Sequence, residues 1–268
     1  MNPLTLLRID DQGADVALLQ QQLMQLGFNP GEIDGDFGTA TEQAVMAFQL
    51  SRGLLPDGIA GPRTLKALGL VADSSLPDAT DAMTVQIASR MCPGALLSNI
   101  KANLPVLLQS LRDHGLHDRT MVLMAVASIR AETSGFVPIS EGRSKFNSSP
   151  SGHPFDLYDH RGDLGNQGPP DGERYCGRGF IQLTGRHNYR RYGPLLQPAI
   201  DLETHPELAN AADVAADLLC LFLGDRELLI KDALMAGNFQ AARRLVNGGK
   251  HGLAEFTRAF QTGDALMP

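Results

Sequence analysis

Two glutamates placed nine residues apart are the residues of this sequence whose type and spacing best suit bond cleavage. Hydrolysis of a glycosidic bond needs two carboxyl groups that flank the bond, one to donate a proton and one to act on water. Glu132 follows the apolar segment 121–129, where an apolar setting and the C-terminal end of a helix dipole both favour a protonated carboxyl group. Glu141 lies beyond a turn, so its carboxylate can face the first across a cleft. Each glutamate taken alone is typical of a solvated surface.

A string of small, amide and hydroxyl side chains at residues 175–189 supports the carboxyl pair. It reads YCGRGFIQLTGRHNY, and it includes Gln182, Thr184 and Asn188. Amide and hydroxyl groups form neutral hydrogen bonds with the N-acetyl and hydroxyl groups of a sugar. The string therefore favours a sugar-binding site.

Helices must position these residues, because the apolar residues recur mostly at three- and four-residue spacing. One helix is predicted from about Asp118 to Thr133, with Asp118 as its N-cap. Another is predicted over residues 96–114, where Pro105 marks a break or a new start. Strand patterns are few, and the fold is predicted to be mainly α. Further helices are predicted over 211–223 and 239–246, and a long loop, of a length typical of functional or disordered segments, over 135–177.

The N-terminal part of the chain contains an internal repeat. Residues 34–41, DGDFGTAT, are echoed by residues 57–64, DGIAGPRT. Each copy combines a glycine-containing turn with a helix start, since Gly permits positive φ and Thr or Asp can cap a helix. We predict a three-helix domain over 1–70, a linker rich in Asp, Ser, Ala and Pro over 71–83, and a larger helical domain over 84–268.

The repeat and its surrounding helix pattern resemble the peptidoglycan-binding domain with three helices. The resemblance covers residues 13–70 and rests on Val16-x-x-Leu19-Gln20 and on Asp57-Gly58-x-x-Gly61-x-x-Thr64. It implies bacterial peptidoglycan as a binding partner. The Asp and Gly residues of both turns are interpreted as setting the backbone geometry, and no residue of the module is assigned as a ligand contact.

The 175–189 string resembles the Gly-Arg-Gly-x-Ile-Gln-Leu-Thr signature of family 19 glycoside hydrolases, the chitinases and their phage lysozyme relatives. Segments 155–166 and 246–253 match the phage branch. The resemblance implies a lysozyme-like, predominantly helical catalytic domain that needs no cofactor. It also implies inversion at the anomeric carbon, with Glu132 as general acid, Glu141 as general base, and carboxyl groups roughly 6.5–9.5 Å apart.

The same resemblance implies roles for further residues. Thr184 occupies the position whose hydroxyl helps to hold the water molecule. Gln182, Asn188 and Asn247 match positions that contact substrate. One departure from the family pattern is Ala131, which stands where the family usually has His before the acid, so the tuning of the acid is expected to differ.

Sugar stacking must use residues other than Trp, which the sequence lacks. Tyr158 and Tyr175 are the candidate stacking residues, and Tyr189, Tyr192 or a Phe are alternatives. Arg178 is interpreted as structural, as the ion-pair partner of a buried carboxylate.

The predicted function is that of an endolysin of the lysozyme or muramidase type, which hydrolyses β-1,4 bonds of peptidoglycan for host cell lysis. Chitin is the alternative substrate, and lytic transglycosylase is the alternative mechanism. A wall-anchoring protein without activity remains open. So does a zinc peptidase that uses His153, Asp159 and His160, although the sequence contains no His-Glu-x-x-His motif and we expect no metal.

The composition excludes other partners. The net charge is −7 without a long run of one sign, which argues against nucleic acid. No apolar run is long enough to insert into a bilayer. Cys92, Cys176 and Cys220 are scattered, and we expect reduced thiols. No secretory signal pattern opens the sequence, so we expect a monomer that stays in the host cytoplasm until its release to the wall and periplasm.

Overall fold

The computed structural model describes residues 5–52, 54, 56–71, 77–247 and 252–268. The described residues form two units, each with its own hydrophobic core. One unit spans Met1–Ser75 and the other Leu76–Pro268. Helices dominate both units, which confirms the prediction of a mainly α protein with a small three-helix unit and a larger helical one.

The smaller unit is built from helices α1 (Ala14–Gln25), α2 (Thr39–Ser51) and α3 (Pro62–Ala67). Its core contains Val16, Leu19, Leu23, Val45 and Phe48, each fully buried. These residues recur at the spacing of one helix face, which is why the pattern predicted helices here.

Each copy of the internal repeat is held by one buried glutamine. Gln20 on α1 donates through Nε2 to Asp34 Oδ1 at 2.9 Å, to the carbonyl oxygen of residue 36 at 3.0 Å and to Thr41 Oγ1 at 3.1 Å. Its Oε1 accepts from the backbone N–H of Gly35 at 2.9 Å. The glutamine therefore ties the turn to the start of the next helix.

Gln49 on α2 makes the corresponding contacts in the second copy. Its Nε2 donates to Asp57 Oδ1 at 2.9 Å, and its Oε1 accepts from the backbone N–H of Gly58 at 3.1 Å. The φ angles are 79° at Gly35 and 76° at Gly58, in the left-handed region that favours glycine. These contacts confirm that the Asp and Gly residues set the backbone of each turn.

The larger unit is organised around α6 (Arg119–Thr133), whose residues 121–129 are all buried. Asp118 caps this helix, since its Oδ1 accepts from the backbone N–H groups of Thr120 and Met121. Both the helix and its N-cap are as predicted. The unit also contains α4 (Val85–Met91), α5 (Leu97–Asp113), α7 (Asp171–Arg174), α8 (Arg186–Tyr192), α9 (Ala212–Gly224), α10 (Glu227–Met235), α11 (Phe239–Asn247) and α12 (Leu253–Leu266). Helix α6 contacts four of these helices, α4, α9, α10 and α12.

Helix α5 corrects the expected break at Pro105, because it runs through that residue without interruption. Its apolar side packs against α9, and α12 packs against α6 and α4. Burial of one helix face against a neighbour stabilises a helix enough to tolerate the loss of one backbone donor.

The predicted linker over 71–83 is shorter in the structure at both ends. Val71 is buried in the core of the smaller unit, and Met83 is buried in the core of the larger one. The backbone N–H of Ala79 donates to the carbonyl oxygen of His117, and the side chain of Asp78 forms an ion pair with Arg112. Only residues 72–76 lie outside the described part of this segment.

Within the described residues, no helix combines the length and apolar character needed to cross a bilayer. The three cysteines are buried thiols. Burial raises the pKa of Cys92 to about 12, which makes its thiolate scarce at neutral pH.

Candidate active site

A short antiparallel ladder places Glu141 beside the sugar-site string. Strand β1 (Ile139–Ser140) pairs with β2 (Arg178–Gly179), with Ile139 opposite Gly179 and Ser140 opposite Arg178. One residue further on, the backbone N–H of Glu141 donates to the carbonyl oxygen of Gly177 at 2.7 Å. The ladder thus joins residues that are distant in sequence.

Three donors hold the carboxylate of Glu141. Oε1 accepts from Asn147 Nδ2 at 2.9 Å and from the Tyr158 hydroxyl at 3.0 Å. Oε2 accepts from the backbone N–H of Gly177 at 3.1 Å. An ionised carboxylate can only accept hydrogen bonds, so this set of donors suits a base.

Three side-chain oxygens meet above Gly177. A β-carbon at residue 177 would lie 3.1 Å from Gln182 Oε1 and 3.2 Å from both Glu141 Oε2 and Thr184 Oγ1. We call this set of three oxygens around Gly177 the oxygen hollow. It exists because residue 177 carries no side chain.

The string itself positions two members of the oxygen hollow. The backbone of Gln182 is left-handed, with φ 52°, and its Nε2 donates to the carbonyl oxygens of Ile139 and Gly179. The Thr184 hydroxyl donates to the carbonyl oxygen of Gln182 at 2.8 Å. Asn188 Nδ2 donates to the carbonyl oxygen of Thr184 at 2.7 Å, so Asn188 supports the backbone of this segment.

Glu132, at the end of α6, forms an ion pair with Arg243 of α11. The Nη2–Oε1 distance is 2.7 Å, and the exposed fractions of the two side chains are 0% for Arg243 and 12% for Glu132. This pairing corrects the expected apolar setting of Glu132, since a guanidinium stabilises a carboxylate in its ionised form.

Arg243 is a candidate site residue that the sequence analysis missed. The signal was present, because Arg243 lies four residues after Phe239 and next to Ala242, on the side of the helix that also carries Val246. A cation on the apolar face of a helix needs a buried partner. What the sequence could not show was that the partner is Glu132.

Ala131, which replaces the His of the family pattern, faces Gly252. A β-carbon at Gly252 would lie 3.1 Å from the Cβ of Ala131 and 3.4 Å from Arg243 Nη2. Ala131 is therefore closely packed against Gly252. The polar partner of Glu132 is Arg243, which comes from α11.

The prediction that Tyr175 stacks on a sugar is wrong. Its ring is 1% exposed and packs against Tyr189, and its hydroxyl donates to the carbonyl oxygen of Glu203. The apolar ring lies in the core, so no face is open to a sugar. Tyr189 and Tyr192 are also buried.

Tyr158 is half-buried, and its hydroxyl contacts Glu141. Asn247 is the last residue of α11, and its side chain lies outside the described part of the chain. Among the described aromatic residues, Phe146 is the exposed one, at 76%. It directly precedes Asn147.

Arg178 is structural, as expected, but its partners differ from the predicted carboxylate. Its Nη1 donates to the carbonyl oxygens of Arg174 and Cys176 and to the Tyr189 hydroxyl. These contacts hold the start of the 175–189 string.

The zinc-peptidase alternative gains no support from the described residues, where no group of three His, Cys, Asp or Glu side chains could hold a metal ion. His153 Nε2 instead lies 2.8 Å from Asp159 Oδ2. Asp159 is buried, and its Oδ1 accepts from the backbone N–H of Gly172.

Solved structures similar to this chain include chitinases and an endolysin. A chitinase C from Streptomyces griseus is 18% identical, with 69% of this chain and 78% of that chain covered and a TM-score of 0.46. A bacterial family 19 chitinase is 19% identical, with 68% and 95% covered and a TM-score of 0.47. A Burkholderia AP3 phage endolysin is 22% identical, with 97% and 100% covered and a TM-score of 0.27. Such low TM-scores do not establish a shared fold, and the chemistry of the site rests on its own residues.

Curated relatives share only a short part of their length with this chain. N-acetylmuramoyl-L-alanine amidase CwlM of Mycobacterium tuberculosis is 52% identical over 56 residues, which are 21% of this chain and 14% of that protein. A spore cortex-lytic enzyme of Oceanobacillus iheyensis is 48% identical over 52 residues, 19% of each protein.

The family match lies in the smaller unit. Residues 12–68 match the model of the family described as "Putative peptidoglycan binding domain". This range contains all three helices of the unit and both glutamine-bound turns. The smaller unit is therefore similar to the peptidoglycan-binding domain family over residues 12–68.

Proposed function

We propose that the chain is a cell-wall lytic glycoside hydrolase of the endolysin type that cleaves β-1,4 bonds of peptidoglycan. The observation that carries the proposal is the oxygen hollow, in which Glu141 Oε2, Thr184 Oγ1 and Gln182 Oε1 surround the open side of Gly177. A general base needs a carboxylate within hydrogen-bond reach of a water molecule, and the adjacent hydroxyl offers that water a second partner.

The hydrogen bonds of the oxygen hollow define how a water molecule would be oriented. Thr184 already donates its hydroxyl proton to the carbonyl oxygen of Gln182, so its lone pairs face the hollow. A water molecule could then donate one proton to Glu141 Oε2 and the other to Thr184 Oγ1. Its own lone pair would point away from both, toward the anomeric carbon of a bound sugar.

Glu132 is proposed as the general acid on the other side of the scissile bond. Glu132 must first take up a proton against the stabilisation of its ionised form by Arg243, and the leaving oxygen takes that proton as the glycosidic C–O bond breaks. Negative charge then develops on that carboxyl group, and the buried guanidinium of Arg243 lies 2.7 Å from it. A fixed cation beside a developing negative charge stabilises the transition state.

The complete step is a single displacement. The water oxygen forms a bond to the anomeric carbon while one of its protons passes to Glu141, and the leaving sugar departs with the proton of Glu132. One displacement inverts the anomeric configuration. No cofactor is needed for this reaction.

Peptidoglycan is proposed as the substrate because of the N-terminal domain. A binding domain tethered to a catalytic unit raises the local concentration of the glycan at the site. The relatives include an N-acetylmuramoyl-L-alanine amidase and a spore cortex-lytic enzyme, and these names support the same choice. We propose the role of a lysin that stays in the host cytoplasm until it gains access to the wall, in line with the resemblance to the phage branch.

Glutamine variants of both glutamates test the mechanism on purified peptidoglycan. Glu132→Gln and Glu141→Gln should each abolish release of reducing ends while binding to the wall is unchanged. Near-normal activity of the Glu141 variant, or 1,6-anhydro products, would indicate a lytic transglycosylase and refute the two-carboxylate mechanism.

Mass analysis of reduced muropeptides tests the bond that is cleaved. Muramic acid at the new reducing end is the expected result for a muramidase. Glucosamine at that end would correct the assignment of the bond. Hydrolysis of colloidal chitin without hydrolysis of peptidoglycan would overturn the proposed substrate.

A further inference from the structure

The two oxygens of Glu141 have different surroundings. Oε1 accepts two side-chain hydrogen bonds, from Asn147 at 2.9 Å and from Tyr158 at 3.0 Å. Oε2 accepts one hydrogen bond, from the backbone of Gly177, and faces the oxygen hollow. The carboxylate is thus anchored through one oxygen and open to the hollow through the other.

Asn147 is held rigidly. Its side chain is fully buried, and Nδ2 also donates to the carbonyl oxygen of Gly142 at 2.8 Å. Its Oδ1 accepts from the backbone N–H of Ser144 at 2.8 Å and from the Ser148 hydroxyl at 3.0 Å. Rotation of the amide would break all of these contacts, so Asn147 presents Nδ2 to Glu141 in one orientation.

Tyr158 is anchored through its backbone and remains a donor. Its carbonyl oxygen accepts from Asn166 Nδ2 at 2.8 Å. Burial, and then the negative charge of Glu141, raise the pKa of Tyr158 to about 12. The phenol is therefore protonated at any pH at which the protein would work, and its proton points at Oε1.

We infer that Asn147 and Tyr158 are positioning residues that fix Oε1 of Glu141 and leave Oε2 as the atom that takes the proton from water. The inference rests on the proposed role of Glu141 as the base. It assigns the orientation of the base to the segment that follows β1 and ends with the 3₁₀ turn Asp156–Tyr158. It also replaces the expected role of Tyr158 as a sugar-stacking residue.

The pH dependence of the reaction can report on this anchoring, because three described groups that interact electrostatically with Glu141 are neutral in the useful range. These groups are the phenols of Tyr158 and Tyr189 and the thiol of Cys176, and burial raises the pKa of each. Arg161, which lies over the ring of Tyr158, stays charged, because its hydrogen bond with Asp163 raises its pKa. A base must be deprotonated to accept the proton of water, so the acidic limb of the rate profile reports on the proposed base.

Tyr158→Phe is the main test, and Tyr192→Phe is its matched control. The Tyr192 hydroxyl also donates to a carboxylate, Asp225 Oδ2 at 2.8 Å, but at the opposite end of helix α8 from the string. Both variants lose one phenol–carboxylate hydrogen bond, so their losses of thermal stability should be similar. Kinetics would be measured on soluble glycan oligomers prepared from peptidoglycan.

Tyr158→Phe should lower kcat about tenfold with little change in KM, since a misplaced base slows the chemical step. Loss of a donor to the ionised carboxylate should also move the acidic limb of kcat/KM upward by about half to one pH unit. Tyr192→Phe should leave kcat and the limb unchanged.

Asn147→Asp provides a second, nearly isosteric test. It replaces the Nδ2 donor by an oxygen and places a like charge beside Oε1, so the acidic limb should move upward further than in Tyr158→Phe. Circular dichroism and thermal melting would show that each variant is folded before its kinetics are compared.

The outcomes separate the two proposals. If Glu141→Gln retains activity, the base itself is misassigned. If Glu141→Gln is inactive while Tyr158→Phe has wild-type kcat and an unmoved limb, the positioning role is overturned and the base stands. A raised KM with unchanged kcat in Tyr158→Phe would also overturn it, because Tyr158 would then contact the glycan.

Discussion

Gly177→Ala is the substitution that most directly tests the oxygen hollow. A methyl group at residue 177 would lie 3.1 Å from Gln182 Oε1 and 3.2 Å from Glu141 Oε2 and Thr184 Oγ1, where ordinary contacts begin at 3.4 Å. The methyl group would also occupy the open side of the residue. A water molecule placed between Glu141 and Thr184 would be displaced or moved.

The expected loss falls on catalysis rather than on folding. The φ angle of Gly177 lies outside the left-handed region, so alanine is compatible with the backbone. The oxygens need to retreat by a few tenths of an ångström. Because Gly→Ala also lowers the entropy of the unfolded chain, the free energy of unfolding should change by no more than about 1 kcal/mol. Removal of an oriented water and its base should lower kcat by about 10²-fold or more.

The assay combines initial rates of reducing-end release with thermal melting. Gly162→Ala is the matched control, because a β-carbon at Gly162 meets open space. It should be fully active. A Gly177→Ala variant with wild-type kcat would refute the reasoning that a water molecule works in this hollow. An inactive variant that is also unfolded would be uninformative, so Gly177→Ala must melt within a few degrees of wild type before the comparison is made.

Four other predictions follow from the described contacts. Arg243→Met should lower kcat about 10²-fold and destabilise the protein by about 3–5 kcal/mol, because it leaves the carboxylate of Glu132, only 12% exposed, without its cation at 2.7 Å. Gln49→Ala should lower the melting temperature of the N-terminal domain and its binding to the wall, since it leaves the buried groups of one turn unsatisfied at a cost of about 2–4 kcal/mol. Phe146→Ala should raise KM about fivefold to tenfold with little effect on kcat, because the exposed ring of Phe146, next to Asn147, offers an apolar face to a sugar. Hydrogen bonds from Arg190 and then Arg186 lower the pKa of Glu203 from 4.5 to about 2, so the stability advantage of wild type over Glu203→Gln should be full above pH 4.5 and vanish as pH falls through about 2.

Each of these predictions has a control in the same chain. The control of Arg243→Met is Arg244→Met, on the exposed side of α11, and it should behave as wild type. The control of Gln49→Ala is Gln21→Ala, on the exposed side of α1, and it should also behave as wild type. Phe146→Tyr should keep KM low, because the ring is retained. Glu207→Gln, at a largely exposed carboxylate, should show a melting temperature that follows wild type at every pH. Equal effects of a variant and its control would contradict the corresponding prediction.

Much of the helical framework follows from local patterns. The buried run 121–129 and the Asp118 N-cap predicted α6, because a continuous apolar run of that length with a capping residue has few other solutions. The two Asp-Gly turns were also recognisable from the local sequence, because glycine adopts their positive φ angles without strain. By contrast, α5 continues through Pro105, because packing against α9 outweighs a local preference that alone would end the helix.

The site shows the same division. Gln182 and Thr184 could be selected from the sequence because they stand in one recognisable signature, and Glu141 because the family that this signature resembles implies a second carboxylate. The assignment of Tyr175 to sugar stacking failed, since an aromatic residue in a polar string gives no sign of which face is buried. Arg243 was missed because its partner lies more than a hundred residues earlier in the chain.

The sequence by itself determined which two glutamates are the candidate acid and base, and it located a peptidoglycan-binding domain ahead of them. These conclusions rest on residue types in short motifs and on the resemblance of those motifs to known families, and such motifs are local properties of the chain. Only the tertiary structure decided how each carboxyl group is held: Glu132 by a cation from α11, and Glu141 by Asn147, Tyr158 and the backbone of Gly177. Long-range pairing of strands and helices brings these partners together, and the free energy that selects one pairing comes from burial of the whole core rather than from any single segment.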